Sequence, residues 1–344
     1  MATALPIAGA SLAAQSGPAV DTRLERTLGF SDADLRALDA GAAVIRSLDT
    51  PVREELAHVG VVYIDAPVER FIERFHDIER FESGPGIPHI GRFSTPPLIE
   101  DLASLTLPAT DVTALRACRP GACAVKLSAA AMRRFQHAVD WSSPYAAREA
   151  DAEARDMLLD LVRAYQADGN AALGSYDDGH DPLLVAEQFG ALLASGDPLP
   201  ASVPALLAYL DDYPRGRPAG TEDFFYWTVV DFGLKPTIRV NHVTIYPLAP
   251  GPPSAVAYAI AIKQLYASHY FHTTLELRFL VDEGRRSGRR GASLVSITRS
   301  RSDGMTGFKG LFRRPIISRR SREAVRHYLE HVKRQVERPA LAAF

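Results

Sequence analysis

Four long runs in the last third of the chain alternate between apolar and polar residues: 237–246, 255–266, 271–281 and 292–301. Successive side chains on an extended strand point to opposite faces, so a period of two is the signature of a strand. The links between them are short and rich in turn residues, Pro-Gly-Pro-Pro at 250–253 and an Arg/Gly stretch at 284–291. Consecutive strands joined this way pair antiparallel, because a parallel pair needs a crossover of a dozen residues or more. Any fold for this chain is therefore built on an antiparallel sheet.

The faces of these strands are uneven. Phe271, Leu275, Leu277 and Phe279 share one face, while His272, Thr274, Glu276 and Arg278 share the other. Val256, Tyr258, Ile260, Ile262, Gln264 and Tyr266 align on the second strand, Val240, His242, Thr244 and Tyr246 on the first, and Val295, Ile297, Arg299 and Arg301 on the fourth. Large apolar residues interrupted by Tyr, His and Arg fit a ligand-cavity lining, and equally a packed core with polar groups at its edges.

Upstream, residues 58–64 read as a strand that runs directly into a helix start at Asp65, Ala66 and Pro67. Asp65 can cap it, and Val68, Phe71, Ile72, Phe75 and Ile78 recur at helical spacing. Residues 31–48 are expected as a short helix with Ser31 as N-cap. Between the strands the texture is helical, with candidates at 128–139, 144–167, 181–194, 203–213 and 221–232, and with Gly169 and Gly233 as stops. The last segment predicts one long helix ending near Glu337. The expected division is a tail and short helix over 1–50, a sheet–helix domain over 51–95 and 233–338, and a mainly helical insertion over 96–232.

Specific residues carry a family resemblance. Ile-Asp-Ala-Pro-Val-Glu-Arg-Phe at 64–71, followed by Asp77, Ile78 and Glu79, is similar to the first strand and helix of the START-like (SRPBCC, helix-grip) superfamily. Gly-Leu-Phe-Arg-Arg at 310–314, through Tyr328 and Leu329 to Val336 and Glu337, resembles its closing helix. The resemblance implies an α+β fold in which a curved antiparallel sheet grips a long C-terminal helix around an apolar ligand.

Composition narrows the chemistry. With 47% hydrophobic residues and a net charge of −2, the chain is not a disordered one. No run approaches the roughly 18 apolar residues of a transmembrane helix. The charge is uneven, for residues 285–344 hold 16 Lys/Arg against 4 Asp/Glu, a local +12. This basic segment reads as a solvated face or as peripheral contact with an anionic membrane. Nucleic acid is not expected, since no reader motif or aromatic platform accompanies it. Neither cofactor nor metal is expected. His327 and His331 match H-x-x-E-H but fall opposite the helix's apolar stripe, and His269 and His272 fall on opposite strand faces. Cys118 and Cys123 flank a Pro-Gly turn that folds the thiols together, as a redox pair or a local clip; a disulfide is the expectation, and it requires an oxidising compartment. Residues 2–14 resemble an export signal but lack a charged start, so periplasmic, secreted and cytoplasmic locations stay open.

The functional expectation is binding of a hydrophobic or amphipathic, lipid- or sterol-like molecule between sheet and helix. Tyr246, Tyr258, Ile260, Ile262, Tyr266 and Tyr328 line the site, and Arg299 pairs with an acidic group of the ligand. The alternatives are an enzyme on the same scaffold, a cyclase, dehydratase or hydrolase, with His242, His269 or a Tyr as acid–base group, and a purely structural interaction protein in which the sheet–helix gap is filled.

Overall fold

The computed structural model describes residues 28–50, 52–84, 86–194, 202–231, 235–248, 255–303 and 307–339. The export-like stretch, Gly233 and the turn at 250–253 lie outside them.

The chain is α+β, built on one eight-stranded antiparallel sheet. Its order is β1 (Val44–Leu48), β2 (Glu55–Ile64), β10 (Ala292–Ser302), β9 (Phe271–Asp282), β8 (Val256–Ala267), β7 (Thr237–Pro247), β6 (Glu222–Val230) and β3 (His89–Arg92). β6 to β10 follow one another as neighbours, the arrangement expected from their short links. β2 closes one side against β10, and β3 pairs with β6 on the other. Helices α2 (Val68–His76) and α3 (Ile78–Glu82) lie between β2 and β3 in the chain, so they link the second strand of the sheet to its far edge. The last element, α10 (Gly307–Glu337), packs on β2 and β1.

Each face of the sheet is covered. On the side of α10, Leu329, Val332 and Val336 join Phe71, Phe75 and Phe81 of the crossing helices and the upward residues of six strands in one core. The five apolar positions read at helical spacing, from Val68 to Ile78, are all buried there. On the other side lie α1 (Asp32–Asp39), α6 (Ala146–Asp168), α7 (Val185–Leu193) and α8 (Pro204–Asp212), with a small ribbon of β4 (Ser175–Tyr176) and β5 (Leu183–Leu184), while α4 (Ala109–Leu115) and α5 (Ala129–Ala138) pack on α6 in a core of their own. A short α9 (Glu283–Ser287) turns the chain between β9 and β10.

Local chemistry explains most boundaries. Ser31 caps α1 reciprocally with Asp34, and Ser128 caps α5 by accepting from the Ala131 amide. Gly169 ends α6 with φ +60, where a Cβ would stand 1.7 Å from the Tyr213 carbonyl oxygen. Cys118 and Cys123 are joined as a disulfide, with Cα atoms 4.5 Å apart.

Several expectations fail in instructive ways. The helix over 31–48 stops at Asp39, and β-branched Val44 and Ile45 open the edge strand β1 instead. The helix expected over 221–232 is strand β6. Its run Phe-Phe-Tyr-Trp-Thr-Val-Val is apolar on both faces because both are covered, which erases the alternation that marks a half-exposed strand. The expected helical segment thus returns its last residues to the sheet. The helix over 181–194 begins only at Val185, after β5. Asp65 does not cap α2, whose N-cap is Pro67; the Asp65 amide donates instead to Glu337 Oε1 at 2.8 Å.

Candidate functional site

Register places the residues of the α10-side face in rows across the sheet. One row runs Val243, Ile262, Glu276, Thr298, His58. The next runs Tyr226, Asn241, Gln264, and continues through Thr274 to Ser300, with Thr274 bonded to Gln264. This second row is polar on five successive strands. The neighbouring rows toward the other end, with Ile245, Ile260, Leu280 and Leu294, belong to the apolar core under α2, α3 and α10. The face is therefore amphipathic along the strands, apolar at one end and polar at the other.

Arg278 stands at the boundary and is 2% exposed. Its Nε donates to Glu276 Oε1 at 2.7 Å, and its Nη2 donates to Glu276 Oε2 and Glu82 Oε1, each at 3.2 Å. Tyr328 of α10 donates to the same Glu82 oxygen at 2.6 Å, and its ring lies 4.8 Å from the guanidinium. Ser296 donates to Glu276 at 2.8 Å. Burial raises the Glu276 pKa, but Arg278 and these hydrogen bonds outweigh it and hold the carboxyl below its ordinary value. Burial alone would lower the Arg278 pKa, yet Glu276, Tyr328 and Glu82 drive it well above. A buried charge network of this kind is stable only because it is densely bonded.

Four atoms on this face have no hydrogen-bond partner among the described residues: Arg278 Nη1, Gln264 Nε2, Asn241 Oδ1 and His58 Nε2. Buried polar atoms are nearly always satisfied, and each exception costs about 1–3 kcal/mol. Four on one sheet face concentrate hydrogen-bonding capacity that the described residues do not use.

The structure gathers part of the expected site here. Tyr258, Ile260, Ile262 and Tyr328 all belong to the α10-side core. Tyr246 does not; it packs with the core on the opposite face. Tyr266 is turned to that face by a bulge, since Val240 pairs with Tyr266 while Asn241 pairs with Gln264; its hydroxyl donates to the Lys126 carbonyl at 3.0 Å. Arg299 is also on the opposite face. It is buried and ion-paired with Glu55 of β2, an internal carboxylate, so it does not enter a sheet–helix gap. The void beside it is about 10 Å³, room for a single water.

His242 and His269 lie away from this face as well. His242 Nε2 is 2.8 Å from Asp223 Oδ1, and its Nδ1 is 3.4 Å from the Tyr165 hydroxyl, to which Lys263 donates at 3.1 Å. This chain can hold and pass protons, but His242 and Lys263 have no exposed surface for a substrate to meet. His269 pairs with buried Asp111 at 2.9 Å, and His272 with Asp303 at 2.6 Å, so the two are held by separate aspartates. Among the described residues no group of three His, Cys, Asp or Glu stands together to hold a metal ion.

Sequence reasoning missed Glu82, Gln264, Asn241, His58, Glu276 and Arg278 as site residues. The signal for the last two was visible as the polar face of β9. In an edge strand that face meets water, but β9 is the fourth of eight strands and both its faces are covered.

No family model, no curated protein and no solved structure matches this chain.

Proposed function

We propose that this protein binds an amphipathic small molecule between the sheet and α10, on a START-like plan in which residues 96–221 interrupt a sheet–helix domain. The supporting fold features are helices crossing from β2 to β3 and a long C-terminal helix laid on the sheet. The observation that carries the reading is the set of unpartnered polar atoms at one end of a face whose other end is apolar. A ligand with an apolar body and a polar head complements both ends.

The site is closed, so a ligand gains access by lifting a covering element. Along α10, Ile316 is 58% and Ile317 36% exposed, whereas Leu329, Val332 and Val336 are fully buried. Exposed isoleucines next to Arg319, Arg320 and Arg322 also suit contact with an anionic membrane surface, where such a ligand would be collected.

The enzyme reading rests on the Asp223–His242 pair. It is the weaker one, because that pair is sealed among aromatic rings on the opposite face.

Native mass spectrometry of the full chain purified from its host tests the proposal. A co-purified adduct of lipid-like mass is expected. A ligand-free mass, together with no uptake of added amphiphiles, would overturn it.

A further inference from the structure

We infer that the ligand's head group is a neutral oxygen, a hydroxyl or a carbonyl, and not a carboxylate. This rests on the binding reading above and specifies the chemistry of the same site.

Arg239 Nε donates to a Gln264 side-chain atom at 3.0 Å. Arginine has only donors, so that atom is the amide oxygen, and the unpartnered one is the amide NH₂. Arg278 Nη1 is a donor by its chemistry. Two buried donors therefore lack acceptors. Asn241, the cross-strand neighbour of Gln264, adds an Oδ1 that has no hydrogen-bond partner among the described residues. A head group that reaches both donors accepts two hydrogen bonds, and one that also donates to Asn241 is better satisfied.

Charge decides between the acceptors. Glu82, Arg239, Arg278 and Glu276 all act on the Tyr226 hydroxyl, which marks them as one cluster. Its two cations and two anions sum to zero. Arg278 is already bonded to both carboxylates. Tyr328 and Tyr226 are neutral phenols there, and burial keeps His58 neutral, with its pKa lowered to about 4. Arg322 of α10, which acts on His58, is exposed, so water screens it. A carboxylate head would bring an uncompensated negative charge into this closed, balanced cluster, which is costly in a medium of low polarity. An alcohol, ketone, ester or amide offers the same acceptor oxygen without the charge.

The test uses chain-matched probes, decan-1-ol, decanamide and decanoate, titrated calorimetrically into the full chain at neutral pH. The alcohol and the amide should bind at least tenfold more tightly than decanoate, about the discrimination expected from one uncompensated buried charge. Gln264→Met keeps the side chain's length and removes its donor, along with the oxygen that accepts from Arg239 and Thr274. It should weaken the two neutral probes by about tenfold while the unfolding curve shows the variant folded. Decanoate binding as tightly as the neutral probes would overturn the head-group inference and leave the binding reading standing. Failure of all three to bind would overturn both.

Discussion

Gly60 of β2 provides the space into which the Leu329 side chain of α10 presses. A Cβ at residue 60 would stand 2.6 Å from Leu329 Cδ1 and 3.3 Å from Val325 Cγ1. Leu329 has no exposed surface and cannot swing clear of such a contact. Gly60→Ala should therefore push α10 off the sheet and destabilise the protein by about 1–3 kcal/mol, the range for overpacking. Leu329→Ala should cost about 2–5 kcal/mol by leaving a cavity. Combining them should cost less than the sum, because the smaller residue 329 accommodates the added methyl. Urea denaturation of the four proteins checks this; strict additivity would show that the two residues do not meet.

This contact shows what the sequence could and could not carry. The apolar stripe of the closing helix was legible, as were β7 to β10, because each keeps a regular period. β6 was not, because burial on both faces removes the period. Glu55 escaped notice for a simpler reason: the strand was expected to begin at His58, three residues too late, so an internal carboxylate, weighed as a partner for Arg299, had no named residue and the ligand was preferred. The turn of Tyr266 to the opposite face depends on a one-residue bulge, and nothing local in the sequence marks it. The polar row exists only through register, which joins residues from five strands.

The Arg299–Glu55 pair makes a prediction of its own. Both side chains are buried, with 5% and 2% exposure. Removing one partner strands the other charge, so Arg299→Leu should destabilise by about 3–5 kcal/mol. Adding Glu55→Leu should restore most of that loss, since two apolar residues need no partner. Amphiphile binding should be unaffected in the double variant. Binding lost only for acidic probes would return Arg299 to the ligand site.

His58 makes stability depend on pH. Burial, together with the nearby positive charge of Arg322, lowers its pKa from 6.5 to about 4. Between these values the unfolded chain holds a proton that the folded one refuses, so stability rises with pH across the window. The contribution is complete above about pH 6.5 and is lost as pH falls through about 4, amounting to no more than about 3 kcal/mol. His58→Gln should flatten the profile there. Urea midpoints at several pH values measure it, and an unchanged slope would place the acid sensitivity elsewhere.

Lys263 gives the opposite test, of a polar group whose removal should help. Its ammonium is buried over the Phe189 ring at 3.7 Å and donates to Tyr165 and Asn170, with no carboxylate bonded to it among the described residues. Burial drives its pKa well below 10.5, with distant Asp211 only partly opposing. The unfolded chain therefore keeps a proton that the folded chain releases, and stability climbs as pH rises toward 10.5. At neutral pH the folded state bears that cost. Lys263→Met keeps the apolar stem and cannot take a proton, so the variant should be at least as stable as the parent near neutrality. Its advantage should shrink as pH is raised to about 9, before the tyrosines begin to titrate. Denaturation curves at both pH values decide the matter. A Met variant weaker by more than about 1 kcal/mol at neutral pH would show that the bonds to Tyr165 and Asn170 outweigh the burial of the amine.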